Sequence, residues 1–211
     1  MTDYPEIAAR FARDTANHQM TVLHEDGLYR HLRFVQPKPA SSMYWFDLIT
    51  WPGCLTIRGD IGDAYTFSRL PDMFEFFRGR VGRINEHYWS EKLDNGRDSA
   101  KEYSEKLFRQ LVCEMVGHAV QSGDAPRGVG KAVREEILAS EFLGTEEEAR
   151  YVLENFEYKG FQFKGTWELS FHDYEWTFLW ACHAIVWGIG RYDRVRKYGL
   201  QKLATAKAVA A

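Results

Sequence analysis

Three cysteines in 211 residues, Cys54, Cys113 and Cys182, stand too far apart for a zinc-binding pair or for a disulfide framework. A reducing compartment suits them. No apolar run reaches the roughly 20 residues that a bilayer-spanning helix needs. The longest, Trp176 to Ile189, falls about six short of that length and reads as a buried helix. Neither sign of charge dominates: 27 Lys and Arg stand against 30 Asp and Glu, a formal net charge of −3, which is not the balance of a dedicated nucleic-acid binder. The N-terminus has no basic stretch followed by an apolar run, which argues against a secretory signal. Internal repeats are absent, and low complexity is confined to the alanine-rich end, Ala204 to Ala211. No nucleophile sits in a strand-to-helix elbow, so no catalytic triad is read. These absences favour a cytoplasmic chain with no membrane partner, no cofactor, no metal and no identifiable catalytic residue.

What is present is aromatic and apolar: 45% of residues are hydrophobic and 15% aromatic, enough to bury a substantial core in a single domain over 1–211. The clearest pattern runs from Met43 to Arg69. Within Tyr44 to Trp51, one face carries Tyr44, Phe46, Leu48 and Thr50 and the other Trp45, Asp47, Ile49 and Trp51, the alternation of a strand covered at least partly on both sides. Pro52-Gly53 makes a turn. Cys54 to Gly59 is the next strand, Gly59 to Asp63 the next turn, and Ala64 to Arg69 a third strand. Upstream, Met20 to His24 and Leu28 to Val35 flank Glu25-Asp26-Gly27, a hairpin signal. The expectation is an antiparallel meander of about five strands.

The run Tyr44-Trp45-Phe46-Asp47-Leu48-Ile49-Thr50-Trp51-Pro52-Gly53, with Gly59-Asp60 and Tyr65-Thr66-Phe67-Ser68-Arg69, resembles a group of proteins from tailed bacteriophages and prophages. His24 to Phe34 and Ile84 to Leu93 extend the resemblance over roughly the first half of the chain. It implies a phage origin and action in the host cytoplasm. It supplies no catalytic residues to carry over.

Beyond residue 70 the pattern turns helical. The expected helices are Glu6 to Thr15 at the start, then Pro71 to Arg78, Ser99 to Gln121, Lys131 to Leu143 and Thr145 to Phe156, the last opening on a capping box. Tyr158 to Leu169 reads as a hairpin around Lys159-Gly160. Asp173 reads as the start signal of the apolar helix, and Gly188 and Gly190 as its end or a close contact. The order of elements is α+β, a mainly β sub-region over 1–70 packed against a mainly helical 71–211.

Three basic groups are candidate binding elements. Arg191 to Lys207 holds six Lys or Arg against one Asp, including Arg191, Arg194 and Arg196. Arg78, Arg80 and Arg83 alternate with Gly79 and Gly82, and glycine permits close approach to phosphate. Arg127, Lys131 and Arg134 form the third. The alternative is that the cations after the last helix complement its dipole and keep the tail soluble. Arg127-Gly-Val-Gly-Lys131 lacks the full spacing of a phosphate loop and reads as a turn before a helix.

Trp45, Trp51, Tyr65, Phe67 and Trp89 offer either a stacking platform for bases or a partner-binding patch, or else a core covered by helices. Arg58 and Arg69, on neighbouring strands, are the polar groups to test beside Trp51. Glu114 with His118, and His172 with Asp173 and Glu175, would give a metal or acid-base site only if His118 and His172 converged. His118 is otherwise a core histidine and Asp173 a helix cap. Asp60 and Asp63 need only a turn to explain them.

The functional expectation is a non-enzymatic phage accessory protein that binds a host or phage macromolecule, such as a protein complex; inhibition of a host defence complex is a use that the resemblance, not any motif, implies. Single-stranded nucleic-acid binding is the first alternative and a metal-dependent hydrolase or nuclease the second.

Overall fold

The computed structural model describes residues 4–39, 43–78 and 83–198. The expected α+β order holds: a five-stranded antiparallel sheet comes first and a mostly helical region follows. The chain forms two compact units, one from residues 1–100 with 175–211, the other from Lys101–Tyr174. A division at residue 70 is therefore only a change in element type, because the last helix belongs with the sheet.

In the first unit, α1 (Pro5–Asp14) precedes strands β1 (Gln19–Asp26), β2 (Tyr29–Val35), β3 (Phe46–Trp51), β4 (Cys54–Gly59) and β5 (Tyr65–Ser68), which pair in sequence order. Leu32, Leu48 and Ile57 stand opposite one another across β2, β3 and β4, and Phe34 opposes Phe46. All five are fully buried. This is the inner face. Helix α7 (Trp176–Tyr198) lies on it: Trp187 packs on Phe34 and Phe46, and Phe178 on Tyr65 and Phe67. Phe11 of α1 packs edge-on to Trp180 and Trp187, and the Trp180 indole N–H donates to Asp14 at 3.1 Å. Gly59 is required by close approach, since a Cβ there would sit 2.1 Å from the Trp45 carbonyl oxygen.

Two short helices, α2 (Met73–Phe77) and α3 (Glu86–Ser90), close one end. Asp72 caps α2 by accepting from the Phe74 N–H and grips the buried Arg30 through two bonds of 2.8 and 3.1 Å. A bridge from Phe67 to Leu93, with Ser68 N donating to Lys92 O and Asp94 N to Thr66 O, covers the free edge of β5.

The second unit is tied at its base by β6 (Lys101–Tyr103) paired with β7 (His172–Tyr174). Ser104 caps α4 (Glu105–Ser122), which ends on Gly123 in the left-handed conformation at φ 80°. The single helix expected over Ser99 to Gln121 is thus a 3-10 turn (Arg97–Ala100), a strand and a helix. Lys131 to Leu143 is α5 (Val129–Val133) running into a π-helical turn, Arg134–Leu138. The capping box opens α6 (Glu146–Glu154) as read: Glu148 N donates to Thr145 Oγ1 and Thr145 N to Glu148 Oε2. The hairpin expected over Tyr158 to Leu169 reduces to one bridge, Tyr158 with Phe161, around Lys159-Gly160. Phe108, Val112, Val133, Ile137, Leu153 and Phe171 form the core.

Candidate binding surface

The outer face of the sheet, turned from α7, carries the alternate residues. Across β2, β3 and β4 stand Arg33, Asp47 and Arg58, and one rung on stand His31, Ile49 and Thr56, continued by Thr66 of β5. Trp51, Cys54 and Ser68 make the last rung. Trp45 precedes β3 on the same side, with the Arg33 guanidinium 4.9 Å from its ring centre. A bulge between Val22 and His24 resets the register of β1 so that His24 opposes His31.

The centre of this face is ionic. Arg33 donates two bonds to Asp47, at 2.8 and 2.9 Å, and His31 Nε2 lies 3.0 Å from Asp47 Oδ2. Asp47 has a side chain only 2% exposed, against 42% for Arg33. Burial by itself would raise the Asp47 carboxyl, but the bonds from Arg33 and His31 outweigh it and hold the group below its usual range. The carboxylate therefore stays charged and fixes Arg33 in the plane that covers Trp45. Beside this cluster the Thr56 and Thr66 hydroxyls bond at 2.8 Å and Cys54 Sγ meets Ser68 Oγ at 3.2 Å. The face thus offers two indoles at its ends, two arginines and a row of hydroxyls. At about 3.3 Å per residue, Trp45 and Trp51 lie roughly 20 Å apart.

The aromatic residues singled out from sequence divide between the faces. Tyr65, Phe67 and Trp89 are core, while Trp45 is half-buried and Trp51 exposed on the outer face. Arg58 is exposed but stands on the Asp47 rung, four residues along β4 from the Cys54 that faces Trp51. Arg69 lies at the Trp51 end, its N–H donating to Gly53 O.

The basic groups are largely engaged elsewhere. Helix α7 continues past Gly188 and Gly190 to Tyr198, so Arg191, Arg194 and Arg196 are helical. Arg196 donates to the Tyr192 hydroxyl at 2.9 Å and pairs with Glu25 at 3.2 Å, and that hydroxyl in turn donates to Glu25. Arg191 donates to His18 O and lies over Trp187. Arg78 forms a two-pronged pair with Asp193 at 2.8 and 2.9 Å. Arg194 and Arg83 are exposed. Arg80 lies outside the described residues. Lys131 pairs with Glu135 at 3.7 Å, and in Arg127-Gly-Val-Gly-Lys131 the turn is confined to Arg127 and the Gly128 cap, with Val129 to Lys131 already the first turn of α5.

The acid-base sets do not come together. His172 opposes Tyr103, beside the start of α4, whereas His118 is fourteen residues along that helix from its cap, about 21 Å at 1.5 Å per residue. His172 instead lies 3.4 Å from Glu146, and Glu114 accepts from Gln110. Asp173 sits in β7 rather than capping α7, and His118 is exposed rather than core. Among the described residues no three His, Cys, Asp or Glu side chains are grouped to hold a metal ion, and no helix is long and apolar enough to cross a membrane. Asp60 has a structural duty, accepting from the Tyr44 N–H at 3.0 Å.

Sequence reasoning missed the Arg33–Asp47–His31 cluster. Its signal was the register: aligning the β2 and β3 alternations puts Arg33 opposite Asp47, a cross-strand ion pair. The chain matches no protein-family model, and no curated protein or solved structure is significantly similar to it.

Proposed function

We propose that this protein acts by binding a macromolecule on the outer face of its sheet, and that the ligand class the face fits best is single-stranded nucleic acid. The observation that carries the reading is the joint placement of Trp45 and Trp51, at opposite ends of one strand face, with Arg58 and Arg33 between them. Stacking of bases on such rings contributes about 1–3 kcal/mol per base and tolerates any sequence. Arg58, exposed and with no carboxylate of its own on the rung beyond the Arg33-held Asp47, is the cation free to meet a phosphate. The Thr56 and Thr66 hydroxyls suit sugar or phosphate oxygens. The resemblance to phage proteins fits a role in an infected cell, in replication, recombination or counter-defence.

The test is fluorescence anisotropy with labelled single- and double-stranded DNA and RNA at low and moderate salt. Trp51→Ala is expected to weaken single-strand binding about tenfold, the lower part of the stacking range. Arg58→Ala is expected to weaken it and to flatten its salt dependence by about one phosphate contact. Equal binding by wild type and both variants, or no binding at low salt, would defeat the reading.

A further inference from the structure

The second unit has the opposite character to the sheet unit. Residues 101–174 carry nine Lys or Arg against fourteen Asp or Glu, a net charge of −5, while the rest of the chain holds eighteen against sixteen. Between Glu135 and Glu157 there are eight carboxylates and one cation, Arg150. The three most exposed large hydrophobic side chains of the described residues are also here: Trp167 at 77%, Tyr151 at 69% and Phe142 at 68%.

Their placement groups them around α6. Phe142 lies three residues before the Thr145 cap. Tyr151 shares one exposed helical stripe with Glu147 and Glu154, at i−4 and i+3. Trp167 sits in the 3-10 turn Thr166–Glu168, which Arg150 ties to α6 by donating to Thr166 O at 3.1 Å and Leu169 O at 2.7 Å. Part of the acidity has a structural duty. Glu146 holds Arg150 and His172, and Glu148 closes the capping box. Glu147, Glu154 and Glu168 have no ion-pair partner among the described residues, and neither caps nor packing explain the rings beside them.

We infer that this face, formed by Phe142, Glu147, Tyr151, Glu154, Trp167 and Glu168, is a docking surface for an arginine-rich surface of a partner protein. Charge complementarity selects the occupant. Guanidinium groups stack on indole and phenol faces and pair with carboxylates at once, and Trp, Tyr and charge-matched contacts dominate protein interfaces. A nucleic acid or an anionic membrane surface is repelled by the same charge. All its residues belong to the second unit, and the inference does not depend on the outer face of the sheet.

The test uses the full chain and short fluorescent peptides rich in arginine, in lysine or in glutamate, titrated at low and moderate salt. The arginine peptide is expected to bind most tightly and the glutamate peptide not at all. The paired change Trp167→Ala with Tyr151→Ala is expected to weaken arginine-peptide binding by about tenfold, one interface anchor or more. Glu147→Gln with Glu154→Gln is expected to remove most of its salt dependence, and Trp51→Ala to leave binding unchanged. All the altered side chains are exposed, so circular dichroism should be unaltered. Arginine and lysine peptides bound equally, with no effect of the ring changes, would reduce the face to diffuse charge and overturn the inference. So would displacement of the peptide by single-stranded DNA in the Trp51→Ala protein.

Discussion

Gly188 of α7 sits against Leu48 of β3 so closely that a Cβ on the glycine would lie 2.8 Å from Leu48 Cδ1 and 3.0 Å from Phe34 Cζ. Both neighbours are fully buried and have nowhere to move. Gly188→Ala therefore trades a helix-propensity gain of about 1 kcal/mol against overpacking of about 1–3 kcal/mol. The expected net result is a loss of up to about 2 kcal/mol. Gly190, two residues on, has nothing within 4 Å of its Cβ position, and Gly190→Ala should stabilise by about 0.5–1 kcal/mol. Urea unfolding of the two variants checks the pair, and opposite signs are the expected result.

Arg33 and Asp47 should respond unequally to mutation. Arg33→Ala leaves a carboxylate that is 2% exposed with only His31 beside it, and breaking a buried pair from that side is expected to cost about 3 kcal/mol. Asp47→Asn leaves a half-exposed guanidinium free to turn to water, so its expected cost is smaller, about 1–2 kcal/mol. Equal costs in denaturant titrations would show that the cluster is solvated on both sides.

Acid should destabilise the fold in two stages. Burial holds His18 and His183 below the ordinary histidine value of 6.5, so between the native and ordinary values the unfolded chain binds more protons. Their stability contribution is whole above 6.5 and falls as pH drops through that range toward the native values. Asp47 and Asp72, whose arginine bonds outweigh burial and hold them below the ordinary carboxylate value of 3.8, add a second loss as pH falls below that value toward theirs. Urea midpoints measured across the acid range should show both limbs, and His18→Gln should soften the first. A midpoint constant from neutral pH down to 4 would contradict the burial of the two histidines.

Arg78 and Arg196 are expected to act through stability alone. Arg78→Ala removes a pair whose side chains are 36% and 40% exposed, worth about 0.5–1 kcal/mol. Arg196→Ala should have an effect of similar size, because its partners tie β1 to the end of α7. Neither change should alter single-strand affinity measured in the native range.

The meander was legible because strand alternation and glycine turns are local signals, and all five strands fall within a few residues of their expected bounds. The length of α7 was not, because Gly188 and Gly190 both look like stop signals; the structure explains only Gly188, whose lack of a Cβ makes room for Leu48 and Phe34, and Gly190 has no such contact. Lys101 to Tyr103 looked helical because it lies before a strong helix, and only pairing with His172 to Tyr174 makes it a strand. At the surface, Trp51 and Arg58 were identified but not their separation, which the β3–β4 register sets. The basic residues of α7 were visible as a charge run, but Glu25, the partner of Arg196, and Arg78, the partner of Asp193, come from distant parts of the chain, and composition cannot pair them.

The most direct test of the sheet-face account is indole and amide NMR of the protein titrated with a short single-stranded oligonucleotide. The account expects the Trp45 and Trp51 indole signals and the amides of Arg33, Ile49, Thr56 and Arg58 to shift together, while the buried Trp180 indole, held on Asp14, stays in place. Shifts confined to α7 and its basic end, or none at ligand concentrations that saturate other single-strand binders, would contradict it.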